Sequence, residues 1–555
     1  MTDSKDDCDV AILGAGLAGM VTALELSHQS PHLNIKLVDQ QQDMGGLARS
    51  AFGGMALVNT PLQKLCGVKD SPELALRDWY NFAEFSQDEG HDALNQWPKA
   101  WAKYYVENSC EKIYHWLKQY GVRFFPVVNW VERGLFTPGN SVPRYHVIWG
   151  TSARLVSQIK KAVLKKSNIK FANNTRVDAI HRHTDNWLIE TDSNTLTAHQ
   201  VVIASGGITG KLERVKTLLS HVPEQLLNGS HPSADGHLHD QAQQLGANIT
   251  HERNMWNYAA GIDHPQAEFE QHGLSLIPCK TALWVNAHGE RIGSKSNGMP
   301  LVTGFDTHDL CEQVAKQPLG YTWQILNYNI ARRELAISGA QHNPHIRDRR
   351  WFKFIAGTLT GSDALLKQML EESQDFLMAD SLDQLCEKMN ALTQNNLVQA
   401  STLRPQLSAF DEQIKRGEAF YTDDQLRRIA IMRRWRADKV RTCRNQTILE
   451  NGPLIAIRLR LISRKSLGGI QTNLSSQVMD VDNQAIENLY AVGEASGFGG
   501  GGASGKRSLE GTFLSGCILT AQNAAAHIAQ QVAIQSNKNV NRVNEQRNNN
   551  KVKTA

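Results

Sequence analysis

Three observations predict an α/β protein with a Rossmann-like nucleotide-binding core. A short apolar run at residues 9–13 (DVAIL) leads directly into Gly14-Ala15-Gly16-Leu-Ala-Gly19, and an apolar-periodic stretch then reaches about residue 28. A second apolar run, Ile35-Lys-Leu-Val38, ends on Asp39, twenty residues beyond Gly19. A third, Val201-Val-Ile-Ala-Ser205-Gly206-Gly207, again runs into glycines. Strand, glycine turn, helix, second strand and terminal acid together make a βαβ unit, and the context gives the Gly-x-Gly-x-x-Gly spacing a meaning it lacks alone.

The remaining elements follow in order. Residues 70–165 read as mixed helix rich in Trp and Tyr, and strands recur near 168–180 and 186–190. The stretch from about 250 to 440 is heterogeneous, strand-like near 282–286 and helical near 308–337, 363–395 and 423–442. A further strand, Leu489-Tyr-Ala-Val-Gly493, enters a loop with seven glycines between Gly497 and Gly511. An apolar helix at about 513–531 closes the fold, and residues 536–555, with seven Asn, read as a disordered tail.

Composition narrows the function classes. With 555 residues, 41% hydrophobic and 21% charged, the chain can bury a sizeable core. Its net charge of +4 is carried by Lys538, Arg542, Arg547, Lys551 and Lys553 against Glu545, so the rest is formally neutral. A neutral body argues against nucleic acid as a partner, because phosphate-backbone binding needs concentrated cations. Eight cysteines, no two closer than 32 residues, give neither a zinc-knuckle spacing nor a disulfide framework. The polar first residues lack the pattern of a secretory signal, and no apolar run approaches the roughly eighteen residues of a membrane span. The expectation is a cytoplasmic protein acting on a small molecule.

Each residue of the glycine motif has a physical task. Gly14 makes the tight turn, Gly16 lets a pyrophosphate approach the backbone beside Ala15, and Gly19 permits close helix–strand packing. The helix N-terminus offers N–H groups and partial positive charge to phosphates. Asp39 accepts hydrogen bonds from ribose hydroxyls. Glycines recur at Gly45-Gly46, Gly53-Gly54, Gly206-Gly207 beside Ser205, and Gly493 beside Glu494. So many close backbone approaches suit a long flavin nucleotide, and no second complete Gly-x-Gly-x-x-Gly marks a nicotinamide domain. FAD is the expected cofactor.

The set GAGLAG (14–19), MGGLARSAFGG (44–54), LWVNAHGERI (283–292), LGGIQTN (467–473) and LYAVGEASG…SGKRSLEG (489–511) resembles the FAD-binding flavoproteins of the fumarate reductase and succinate dehydrogenase type. That superfamily includes L-aspartate oxidase and the 3-ketosteroid Δ1-dehydrogenases, and the nearest likeness is to bacterial FAD-binding dehydrogenases of the ketosteroid kind. The resemblance implies an FAD-binding domain in two parts, residues 1–250 and 440–535, split by an inserted mobile cap at about 251–439. It also implies hydride transfer between flavin and a carbon–carbon bond next to a carbonyl. The electron acceptor stays open between a quinone and a carrier protein.

Departures from the resemblance matter as much as the matches. The His that attaches FAD covalently in quinone-linked members is Leu47 here, which implies non-covalent FAD. The His-Pro-Thr-Gly stretch of dicarboxylate reducers corresponds to Tyr258-Ala-Ala-Gly261, their late substrate His to Arg464, and their acid Arg to Phe305-Asp306. Arg507 matches the substrate-binding Arg of the family, with a salt bridge to Glu510 as its structural alternative. Tyr258 is the best acid or base by position, with Arg464 or Lys465 to lower its pKa if it is a base. Thr512 is expected to cap the closing helix, presenting backbone at Phe513 and Leu514 to the flavin. Arg144 and His146 are weaker cleft candidates. Asp235, His237, His239 and Asp240 read as a helix start and not as a metal site, because two residues apart do not share a helical face. A fumarate-type reductase and a non-catalytic flavoprotein subunit stay as alternatives.

Overall fold

The computed structural model describes residues 6–85, 94–134, 137–292, 307–439 and 443–553. Its first sheet has eight strands. Asp6–Leu13 lies at the centre, parallel to Ile35–Val38 on one side and to Thr195–Ile203 on the other. Ile169–Ala172 and Ala485–Ala491 extend the parallel array outward. Val10, Ala11, Ile12 and Leu13 are all buried, which is why residues 9–13 read as an unbroken apolar run: both faces of this sheet are covered. The helix Leu17–Gln29 is buried nearly all round, between the sheet and the closing helix.

A second, mostly antiparallel sheet of eight strands is organised on one long strand, Leu454–Ser466. Met255–Asp263, Tyr321–Asn327 and Phe376–Ala379 pair with it antiparallel, and Leu226–Asn228 pairs parallel. This strand lies outside the 251–439 segment yet hydrogen-bonds to three strands within it, so a boundary at 439 divides a sheet. The sequence reading missed this strand. Its signal was present in LIAIRLRLI, where Ile455, Ile457, Leu459 and Leu461 alternate with Ala456, Arg458 and Arg460. Arg458 and Arg460 are held by the fully buried Asp375, at 2.7 and 2.5 Å.

Other expectations change in detail. The helical pattern at 308–337 contains the strand Tyr321–Asn327, and that at 363–395 contains Phe376–Ala379. Residues 70–165 are not helix throughout, because Phe124–Asn129 and Tyr145–Ile148 form a small sheet with Gly54–Ala56. The closing helix runs Phe513–Lys553, through the stretch read as a disordered tail. Asn-rich composition lowers helix propensity, but extending a helix already nucleated adds a hydrogen bond for each residue fixed.

Candidate functional site

A cavity of about 2150 Å³ opens at the carboxyl ends of the parallel strands, where Leu13, Val38, Ala204 and Val492 line it. This is where an open α/β sheet places its ligands. The second sheet supplies the facing wall through Trp256, Tyr258 and Leu276, and helical segments between residues 332 and 432 and the stretch 125–134 add to it. The volume is more than twice the upper end of about 1,000 Å³ for drug-sized pockets, enough for a dinucleotide and a second molecule.

The nucleotide end is built from backbone. Gly14 has φ +119°, and a Cβ there would lie 2.3 Å from the Ala204 carbonyl oxygen. A Cβ on Gly19 would lie 1.9 Å from the Gly14 oxygen. Those two glycines let strand, turn and helix approach. Gly16 and Gly206 differ: both line the cavity, and an added Cβ would meet nothing within 4 Å. Open space over Gly16, at the N-terminus of a helix with no side-chain cap, and over Gly206, after the strand Thr195–Ile203, is room that could hold phosphate. Gly45 donates its N–H to the Ala15 carbonyl at 2.9 Å, which lays Gly45-Gly46 beside Gly16 along the groove.

Asp39 ends the second strand and lines the cavity, where it accepts from Ala15 N–H at 2.6 Å and Gln41 N–H at 2.8 Å. Burial raises its pKa while those two bonds pull it down. Glu494 is buried at the far side and accepts from Ser466 N–H at 3.0 Å. Its pKa is raised by burial, against the pull of Lys465. Ser205 and Leu514 also line the cavity. These residues fit a dinucleotide laid along the strand ends, with the carboxylates of Asp39 and Glu494 as acceptors for hydroxyl groups.

Two cofactor expectations need correction. Ala15 does not line the cavity; it is fully buried, its N–H goes to Asp39 and its carbonyl accepts from Gly45. The Thr512 side chain does not cap the closing helix; it bonds Ser508 Oγ at 2.7 Å and the Leu509 carbonyl at 3.1 Å, away from the cavity. The helix nonetheless starts at the cavity, lined there by Phe513 and Leu514.

Arg507 is placed elsewhere than expected. Its guanidinium pairs with Glu84, the residue that ends the helix Pro72–Ala83, and Lys506 reaches the same carboxylate at 3.1 Å. Arg507 is not among the residues lining the cavity. Glu510, the partner assigned to it from sequence, faces the cavity instead and accepts a hydrogen bond from the Tyr258 hydroxyl at 3.1 Å. Sequence reasoning had seen Glu510 only as a structural partner, because nothing local distinguishes an acid turned toward Arg507 from one turned away. Arg464 completes the group. Its guanidinium lies 5.3 Å from the centre of the Tyr258 ring and donates to Ser275 Oγ at 3.0 Å.

The electrostatics of this group are one-sided. Burial raises the Tyr258 pKa and the Glu510 charge raises it further, outweighing Arg464. Arg464 therefore does not offset burial and the Glu510 charge, which together favour the neutral phenol. Burial also raises the Glu510 pKa, against Tyr258, Arg464 and Lys465.

The weaker candidates belong to the frame. Arg144 is buried in a network with Asp70 and Asp78, at 2.8 and 2.6 Å. His146 is fully buried between Thr60 Oγ1 and the Arg144 carbonyl, its pKa lowered to about 4 by burial. Asp240 pairs with Arg214, and His237 bonds the Asp178 carbonyl. Leu47 lines the cavity. Phe305-Asp306 lies outside the described residues.

Comparison with known proteins agrees with this geometry. The family described as FAD binding domain matches residues 9–514. A KsdD-like steroid dehydrogenase of Mycobacterium tuberculosis is 34% identical, over 94% of this chain and 96% of that protein. Among solved structures, a 3-ketosteroid Δ1-dehydrogenase from Sterolibacterium denitrificans in complex with 1,4-androstadiene-3,17-dione aligns with TM-score 0.71 at 14% identity, covering 95% of this chain and all of that one. The open conformation of a flavocytochrome c3 fumarate reductase aligns with TM-score 0.66 at 18% identity, covering 95% and 79%. At such identities the structures speak for the fold. The chain belongs to the FAD-binding-domain flavoproteins, and it is an FAD-dependent oxidoreductase acting on CH–CH groups.

Proposed function

We propose that the substrate is a ketosteroid-like or related alicyclic ketone, dehydrogenated or reduced at the carbon–carbon bond beside its carbonyl. The observation that carries this reading is the Tyr258–Glu510 hydrogen bond in the cavity wall, with Arg464 over the tyrosine ring. The cavity wall also carries Leu276, Ile277, Leu335, Ile337 and Phe354, beside charged residues such as Lys280, Arg332 and Lys465. Apolar wall residues with a hydrogen-bonded Tyr–Glu pair among them suit a rigid hydrocarbon carrying a ketone. The residue matching the substrate-binding Arg of the dicarboxylate reducers, Arg507, is held by Glu84 outside the cavity, although Arg464 and Lys465 line it.

FAD, when bound, supplies the hydride acceptor or donor. The chain itself handles the proton. In dehydrogenation Tyr258 Oη takes the proton α to the carbonyl while its own proton passes to Glu510 along their hydrogen bond. The hydrogen bond between the two groups lets both transfers run together, so no free phenolate need accumulate. Arg464 steadies charge that develops on the ring. In reduction the same path runs backward, with Tyr258 as the acid.

Further parts of the reading rest on single features. Leu47 in place of an attaching His supports non-covalent FAD, so acid denaturation should release intact FAD, and flavin fluorescence that stays with the polypeptide on a denaturing gel would contradict this. Helices from the 251–439 segment line the cavity, which supports their acting as a cap. The eight cysteines form no disulfide with one another, which goes with a reducing, cytoplasmic setting. No described helix is long and apolar enough to cross a membrane. The electron acceptor fits either a quinone or a carrier protein.

The test is anaerobic bleaching of the oxidised flavin by a panel of 3-ketosteroids and simpler cyclic ketones. A steroid ketone should bleach it and fumarate should be a poor oxidant of the reduced enzyme. Rapid fumarate turnover with no response to any ketone would overturn the reading.

A further inference from the structure

The helix Trp351–Thr360 carries an apolar face that stays exposed among the described residues. Phe352 is 87% exposed, Ile355 39% and Leu359 70%, and the three stand at i, i+3 and i+7 on one side. The adjoining side is anchored. Phe354 and Trp351 pack against Phe125 at 4.8 and 5.2 Å between ring centres, and Trp351 meets Trp149 at 5.2 Å. The helix therefore cannot roll its bare face inward without breaking an aromatic cluster.

Cations flank this face. Arg347, Arg349, Arg350 and Lys353 lie just before or within the helix and are all exposed, against one anion, Asp348, which pairs with Arg347 at 2.8 Å. The helix also borders the cavity: Lys353, Phe354, Ala356, Gly357 and Thr358 line it. Ile277 and Ile431 line the same cavity while remaining exposed, as residues at an opening do.

We propose that this helix docks the enzyme on an anionic lipid surface, with the apolar ridge in the acyl boundary and the cations among the headgroups. Charge selects the occupant. An apolar ridge with flanking Arg and Lys and an interfacial Trp is the pattern of a helix that lies in the membrane interface. A stable protein interface takes about 800 Å² from each partner, far more than a helix about 15 Å long presents. Docking would bring the cavity opening to the phase in which apolar ketones concentrate. Vesicle binding needs no substrate, so it stands or falls apart from the substrate proposed above.

The experiment is flotation of the FAD-loaded enzyme with phosphatidylcholine vesicles, with and without phosphatidylglycerol. The enzyme should float with the anionic vesicles and be released as salt rises toward 1 M, where the Debye length shrinks to about 3 Å. The triple variant Arg349→Gln/Arg350→Gln/Lys353→Gln should bind roughly a hundredfold more weakly, from about fivefold for each cation. The variant Phe352→Ser/Ile355→Ser/Leu359→Ser should lose retention while keeping its flavin spectrum and melting temperature, since those side chains face outward. Equal flotation with both vesicle types, or variants that float like wild type, would overturn the proposal. So would a serine variant whose light-scattering mass falls from dimer to monomer, because the face would then join two copies of the chain.

Discussion

The two ends of the cavity are made of different material. At the nucleotide end the groove is backbone: Gly16 and Gly206 leave space, and Gly14 and Gly19 let strand and helix close up behind it. At the reaction end the work falls to side chains from separate segments, with Tyr258 and Glu510 252 residues apart. A backbone site dictates residue type at fixed spacing, whereas a side-chain site needs only that the topology bring its members together. The two ends should therefore fail independently when mutated.

The largest expected effect is at the reaction end. Tyr258→Phe removes the proton carrier but little volume, so turnover should fall about 100- to 10,000-fold with FAD content unchanged. If turnover and FAD fall together, the ends are not separable. At the nucleotide end, Gly16→Val fills the open space over the helix N-terminus. A misfit of about 1–3 kcal/mol corresponds to roughly 5- to 150-fold weaker FAD binding, measurable by flavin titration of the apoprotein, while the fold persists. Full FAD affinity in this variant would place the cradle elsewhere.

That contrast also explains what could be read in advance. The βαβ unit, the close packing at Gly14 and Gly19, and the placing of Gly16 and Asp39 at the strand ends were legible because each follows from short-range spacing around one turn. The long strand Leu454–Ser466 was missed because two of its alternating positions carry arginines, whose place in a sheet shows only once Asp375 is seen holding them. Tyr258 and Arg464 were found only through resemblance to a family. The pairing of Arg507 with Glu84 was not anticipated, because the two lie 423 residues apart and no local pattern announces it.

Acid should act on the frame that holds both ends. His146 and His239 are fully buried and neutral, with pKa values lowered to about 4 by burial, against 6.5 when exposed. Between those values the unfolded chain binds the extra protons, so stability falls as pH drops from 7 to 5. The loss is about 2 kcal/mol for each histidine. Melting temperature should fall over that range, less so in His146→Gln; a flat profile would mean the histidines titrate normally.

Arg507→Ala should have the smallest effect. Glu84 is about one-third exposed, so the pair contributes about 1 kcal/mol. The melting temperature should drop slightly while the rate of flavin reduction stays close to wild type. A stable variant with severely reduced turnover would return Arg507 to the reaction end.

The central claim is that Tyr258 and Glu510 move the substrate proton, and solvent exchange tests it most directly. The enzyme is held with its flavin pre-reduced, so that net dehydrogenation is blocked, and a saturated 3-ketosteroid is incubated in D2O. Wild type should place deuterium at the carbon α to the carbonyl, and both Tyr258→Phe and Glu510→Gln should slow that exchange about 100-fold or more without losing FAD. Exchange at the wild-type rate in FAD-replete Tyr258→Phe would contradict the account.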